Sequence, residues 1–200
     1  MSLLLITGGS GSGKSAYAER TLLSRMPPEG GGRAVYLATM ENTGPEAAAR
    51  VARHRAMRAR HGEAAGRTFV TLEQPVDLGG AAVLPGDFVL VEDLGNLLAN
   101  ELWSPAGAGR AGAEARILSG VRALMERAAL LAVVSVDIFA GGDGYDPETL
   151  DYIRTLGRLH RTLAALAEES AEVVCGIPLA GKGLPAYNEH RPAAPAGQEA

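Results

Sequence analysis

The 200-residue chain sets 19 Lys and Arg against 23 Asp and Glu for a formal net charge of -4, with 46% hydrophobic and 21% charged residues. This balance fits an ordinary globular chain and gives no global electrostatic reason to expect nucleic acid or an anionic membrane as partner, so any anion site must be local. The single cysteine, Cys175, excludes an intramolecular disulfide framework, and the amino-terminal apolar run reaches Gly8 too soon for a signal peptide or membrane span, which predicts a cytoplasmic protein.

In chain order, short apolar runs predict strands at Leu3–Thr7, Ala34–Ala38, Thr68–Leu72, Phe88–Val91, Leu131–Val136 and Glu172–Cys175. Helical periodicity lies between them, at Lys14–Arg25, Pro45–Arg60, Gly95–Glu101, Arg110–Arg127 and Pro147–Ser170. Alternation of this kind predicts an α/β fold, a mostly parallel central sheet flanked by helices, in one domain over residues 1–183. Turn formers mark loops at Pro27–Gly32 and Gly141–Asp146, and the Pro- and Ala-rich stretch from Leu184 to the end, residues 184–200, reads as a mobile tail.

The first strand-to-helix junction carries Gly8, Gly9, Ser10, Gly11, Ser12, Gly13, Lys14 and Ser15, which fit G-x-x-x-x-G-K-[ST] without a mismatch. Glycines let the backbone curl so that successive N–H groups face phosphate oxygens, and the helix start adds a positive dipole end. Lys14 is expected to reach the β- and γ-phosphates, and Ser15 to offer its hydroxyl to magnesium. The fold expected is therefore P-loop NTPase-like, with ATP or GTP as ligand; a phosphate loop reads phosphates and leaves the base open. A second acid for magnesium is expected at the end of another strand, and Glu92 and Asp93 both follow the run Phe88–Val91. Alternation along the strand turns one of them toward the loop and the other away. Asp137 is a third acid at the same expected sheet edge, with no assigned role.

The stretch PEAAARVARHRAMRARH places Glu46, Arg50, His54 and Arg58 at successive i+4 steps on one helical stripe. Neighbouring guanidinium groups favour the neutral imidazole, which is the nucleophilic form. Such a nitrogen can attack a nucleotide's α-phosphorus and carry the nucleotidyl group, while the arginines stabilise charge on the phosphoryl oxygens. A solvated basic helix face is the plainer reading of the same residues.

Taken together, ITGGSGSGKSAYAE, AVYLATM, EAAARVARHRAMR, FVTLEQPVDL, VLVEDLGNLLANELW and AEVVCGIPLAGKG resemble, in order, the bifunctional adenosylcobinamide kinase/adenosylcobinamide-phosphate guanylyltransferase family over most of residues 3–183. The resemblance implies a trimeric P-loop protein of cobalamin assembly. Such an enzyme phosphorylates adenosylcobinamide and then moves GMP from GTP onto that phosphate through a guanylylated histidine, a role that falls here on His54. It also implies Gly13, Lys14 and Ser15 at the nucleotide, Glu92 as the magnesium acid in preference to Asp93, Arg50 on phosphate, and Asn100 on a further motif position. Corrinoid and nucleotide are the small-molecule partners implied.

This chain departs from the family pattern in its later half. Ser135-Val-Asp-Ile138 replaces Ser-Asn-Glu-Val, His160-Arg161 replaces Asn-Gln, and HGEAAGR is inserted before Phe69, where a tryptophan is usual. Two rival readings stand beside the bifunctional one: a P-loop kinase of another small metabolite, and a non-catalytic nucleotide-binding accessory protein. Among the other residues, Trp103 reads as a packing or subunit-contact residue, Cys175 as a buried inert thiol, and His61 and His160 as surface or hydrogen-bonded structural groups. Lys182 reads equally as a loop cation near the nucleotide or as a solvated lysine. Tyr145 and Asp146 mark where substrate preference would change.

Overall fold

The computed structural model describes residues 2–28, 30–41, 56, 59–63, 65–142 and 144–184. In chain order the described elements are β1 (Ser2–Gly8), α1 (Lys14–Ser24), β2 (Ala34–Ala38), β3 (Phe69–Glu73), β4 (Phe88–Glu92), α2 (Leu94–Trp103), α3 (Gly109–Arg127), β5 (Leu130–Val136), α4 (Pro147–Leu166), β6 (Glu169–Val174) and β7 (Ile177–Ala180). The strands form one sheet in the order β3-β2-β4-β5-β1-β6-β7. All neighbours run parallel except β6 and β7, which pair antiparallel. The fold is thus α/β with a mostly parallel sheet, as the alternation of apolar runs and periodic segments predicts.

Both faces of the sheet are covered, which is why its central strands read as continuous apolar runs. Along β1, Leu4 and Ile6 face Ala18 and Leu22 of α1, while Leu3 and Leu5 face the opposite layer, where α2, α3 and α4 contribute Leu97, Ile117 and Leu156. Leu94, Leu97 and Leu98 of α2 are fully buried, and each such side chain contributes about 1.5–3 kcal/mol. Their burial anchors the chain immediately after Glu92, at the carboxyl edge of the sheet, where open α/β sheets hold ligands.

Several boundaries and residue roles differ from expectation. The helix predicted to run to Ser170 stops at Leu166, and β6 begins at Glu169 instead of Glu172. The N–H of Glu168 donates to Leu3 O at 3.0 Å, and the following residues pair with the free edge of β1. Tertiary pairing overrides the helix propensity of these Ala and Glu residues. Cys175 is exposed, not buried in a strand; with Gly176 it forms the two-residue turn into β7, at φ 50° and 82°. Two positive φ values are the pattern of a type I′ hairpin. Lys182 donates Nζ to Ala165 O at 3.2 Å and its N–H to Ser170 Oγ at 2.9 Å. That position lies at the end of the sheet opposite the phosphate loop.

The inserted segment packs on the molecule's side. Residues 59–63 are helical, His61 contacts the buried Glu19 of α1, and Arg67 donates to Pro27 O. Most of the helix predicted at Pro45–Arg60, including Arg50 and His54, lies outside the described residues. So does the tail after Leu184, and Leu184 itself packs against the α1-side core. Among the described residues, no helix is long and apolar enough to cross a membrane.

Candidate active site

The phosphate loop is built by close backbone approach. A Cβ on Gly8 would lie 2.5 Å from Val173 O and 2.6 Å from Ser12 Oγ, and Gly8 has φ 155°, so only glycine fits there. At Gly13, φ is 91° and an added Cβ would come within 3.2 Å of the Gly176 Cα. Gly13 stands at the N-cap of α1, so the helix opens directly onto the loop. The β6–β7 turn braces the loop from outside, because the N–H of Gly176 donates to Ser12 O at 2.7 Å. From the opposite side, the N–H of Asp137 donates to Gly8 O at 2.9 Å. Lys14 Nζ donates to Gly9 O at 3.2 Å, which folds the amine back over the loop.

Ser15 and Glu92 meet beneath that loop, although 77 positions separate them in the chain. Ser15 Oγ donates to Glu92 Oε1 at 2.5 Å. Glu92 Oε2 and Ser12 Oγ are buried and, among the described residues, lack hydrogen-bond partners. Burial pushes the Glu92 carboxyl up to about 8; the Ser15 hydrogen bond opposes the rise, Asp93 and Glu19 add to it, and Lys14 opposes it. An orphaned carboxylate oxygen beside a serine hydroxyl offers two hard oxygen donors, the set a magnesium ion accepts when nucleotide oxygens and waters complete its shell. Among the described residues there is no cluster of three His, Cys, Asp or Glu that would hold a metal without such help.

Asp93 turns away from the loop and caps α2, accepting from the Asn96 N–H at 2.8 Å. The acidic pair thus divides: Glu92, the last residue of β4, faces Ser15, and Asp93, beyond the strand, is a helix cap. Thr39, which sequence reasoning missed, is fully buried at the end of β2. Its hydroxyl donates within reach of Glu92 O (2.9 Å) and Asp93 O (2.8 Å), fixing the backbone between the two acids. Asn100 in turn donates to Thr39 O at 2.7 Å and Pro75 O at 3.0 Å, a structural tie between α2 and the strand ends.

On the sheet face opposite α1, His160 Nε2 and Ser135 Oγ are 2.6 Å apart. Burial pushes the His160 imidazole down and Asp137 pulls it partly back. Phe139 meets the His160 ring edge-on at 5.2 Å. Trp103 is 49% exposed, stacks on Tyr152 at 5.6 Å and donates Nε1 to Glu148 at 3.0 Å. Tyr145 is exposed, and Asp146 caps α4 by accepting from the N–H groups of Glu148 and Thr149. The structure thus brings Gly8 to Ser15 together with Glu92. Arg50 and His54 lie outside the described residues.

Comparison with known proteins gives three findings. Residues 4–180 match the family described as cobinamide kinase / cobinamide phosphate guanyltransferase. The chain is 29% identical over 188 residues to the bifunctional adenosylcobalamin biosynthesis protein CobU of Escherichia coli (strain K12), with 88% of this chain and 97% of that protein covered. Among solved structures, the flagellar accessory protein FlaH from Methanocaldococcus jannaschii aligns with a TM-score of 0.42 and 10% identity, over 86% of this chain and 70% of that one.

Proposed function

The chain belongs to the cobinamide kinase / cobinamide phosphate guanyltransferase family, and from that membership we propose that it carries out both reactions of adenosylcobalamin assembly. In the first, a side-chain hydroxyl oxygen of adenosylcobinamide attacks the γ-phosphorus of ATP or GTP. The bond to the β,γ-bridging oxygen breaks, the nucleoside diphosphate leaves, and the hydroxyl proton passes to solvent. In the second, the neutral imidazole of His54 attacks the α-phosphorus of GTP and pyrophosphate leaves. A phosphate oxygen of adenosylcobinamide phosphate then attacks that phosphorus, the N–P bond breaks, and the imidazole is restored.

Residues near the loop have distinct tasks in this reading. Backbone N–H groups of the Gly8–Gly13 loop hold phosphate oxygens, Lys14 neutralises charge that builds on them, and Arg50 does so for the group carried on His54. Ser15 and Glu92 would hold magnesium, which supplies charge neutralisation across the phosphate oxygens when bound. The observation that carries the reading is the Ser15–Glu92 pair under a complete phosphate loop, within a family match that spans residues 4–180. A trimer and a cytoplasmic location, where nucleoside triphosphates are supplied, belong to the same proposal.

Intact-protein mass spectrometry after incubation with GTP and magnesium, kept alkaline because a phosphorus–nitrogen bond is acid-labile, tests the covalent step. The expected result is a GMP adduct on the parent chain and none on His54→Ala. An intact parent that binds nucleotide but forms no adduct overturns the guanylyl-histidine step. It would then favour a kinase of another metabolite or a nucleotide-binding accessory protein.

A further inference from the structure

Two hollows meet at His160 and Arg161 on the sheet face opposite α1. One, of about 390 Å³, runs from Thr7, the residue before Gly8, past Glu172 to the outer strand at Leu179. The other, of about 650 Å³, lies between α4 and Phe139 and reaches Arg154. Thr7 pairs in register with Ser135 and with Glu172, so this surface opens at the same end of the sheet as the phosphate loop.

The charge here runs against that of the whole chain. Arg154, Arg158 and Arg161 recur at i, i+4 and i+7 on one face of α4, and all three are exposed. Arg158 is neutralised by Glu114 at 2.9 Å and also donates to Thr155. Among the described residues, Arg154 and Arg161 have no carboxylate within ion-pair distance. Of these three guanidinium groups only Arg158 is paired, and although Asp137 near His160 and Glu172 across the first hollow offset part of the charge, the face of α4 keeps two guanidinium groups that an anion would bridge. Beside them, Phe139 is 43% exposed and its orientation is set by His160, itself held at Ser135. A cationic fork next to a fixed aromatic face matches a phosphomonoester attached to a bulky apolar body. Glu172, at the far side of the first hollow, disfavours an anion there and so keeps it at the arginine end.

We infer that Arg154 and Arg161 form the subsite that binds the acceptor's phosphate in the guanylyl-transfer step, and so hold the phosphorylated acceptor, not the free alcohol, at that step. The inference rests on the proposed function, whose acceptor it assigns to a surface and a charge state. A neutral alcohol gains nothing from two guanidinium groups, whereas a phosphate gains charge-assisted hydrogen bonds from both.

The test uses the full chain with its phosphate loop saturated by magnesium and a GTP analogue that cannot be cleaved, so that added phosphate cannot enter that loop. Phenyl phosphate and benzyl alcohol are titrated as probes, followed by adenosylcobinamide phosphate as competitor. Phenyl phosphate is expected to bind at least about tenfold tighter than benzyl alcohol, and Arg161→Gln and Arg154→Gln each to weaken it by about tenfold. Analogue affinity and thermal stability should stay at the parent values. Equal binding of the two probes, or phenyl phosphate binding indifferent to both substitutions, overturns the inference. If phenyl phosphate behaves as expected but adenosylcobinamide phosphate does not displace it, the anion site stands and the corrinoid assignment falls. If adenosylcobinamide phosphate is guanylylated with the same KM by parent and both variants, the site falls and the assignment stands.

Discussion

Glu92 is half-buried, but its Oε2 is shut off from water and its carboxyl is pushed up to about 8 from an ordinary value of 4.5. An acid whose folded value is raised holds its proton more tightly when folded. Its stabilising effect is fully present below about pH 4.5 and is lost as pH rises toward 8. At roughly 1.4 kcal/mol per pKa unit, that loss amounts to a few kcal/mol in the metal-free protein. Thermal unfolding of the metal-free parent should therefore show a stability decline between these pH values that is flatter in Glu92→Gln, whose amide oxygen can still accept from Ser15. A parallel decline in both proteins would show that Glu92 is not its source. Two adjacent glycines give a second contrast at this scale. Gly8→Ala forces a Cβ against Val173 O, while Gly9→Ala meets nothing within 4 Å. Gly8→Ala should abolish nucleotide binding and lower stability, whereas Gly9→Ala should leave the fold intact, as calorimetry and nucleotide titration would report.

At the scale of elements, the contiguous parts were readable and the distant contacts were not. β1, β2, β4 and β5 announce themselves as apolar runs because both of their faces are buried, and the phosphate loop is legible because all eight residues are consecutive. The α4–β6 boundary is hidden in LAALAEESAEVV, whose Ala, Leu and Glu favour helix throughout; the free edge of β1 decides it. β7 had a signal in the Cys175-Gly176 pair between two apolar runs, although cysteine is an unusual residue at positive φ. The Ser135–His160 contact and the Gly176 brace join segments that no local pattern links. Orientation of Glu92 toward Ser15 followed from alternation only once the strand's register was known. Asp146, weighed from sequence as a substrate-preference residue, caps α4 through the N–H groups of Glu148 and Thr149 at 2.9 and 3.0 Å. Asp146→Ala should cost about 1 kcal/mol and lower the melting temperature by roughly 2–4 °C, with nucleotide affinity unchanged. A loss of affinity without a loss of stability would return Asp146 to the site.

At the scale of the whole molecule, the candidate nucleotide site joins several strands of the sheet with α1. The loop ends β1 and starts α1, the β6–β7 turn holds it at Ser12 O, Asp137 after β5 holds it at Gly8 O, and Glu92 brings in β4. A ligand seated there contacts only the folded arrangement of these four strands, so its binding energy must add to the stability of the sheet as a unit. At a free concentration one hundred times its dissociation constant, magnesium nucleotide should stabilise the fold by about 2.7 kcal/mol. For a chain of this length that corresponds to a rise of roughly 5–11 °C in melting temperature. ATP or GTP with magnesium should produce the rise, while AMP, which lacks the β- and γ-phosphates assigned to Lys14 in the proposed function, should not. Lys14→Ala should remove most of the response at the same nucleotide concentration while leaving the ligand-free melting temperature near that of the parent, since among the described residues its Nζ makes an exposed hydrogen bond to Gly9 O and only a minor charge contact with Glu92. A full nucleotide-dependent shift in Lys14→Ala would place the stabilising ligand elsewhere on the molecule and remove the physical basis for assigning chemistry to the β1–α1 loop.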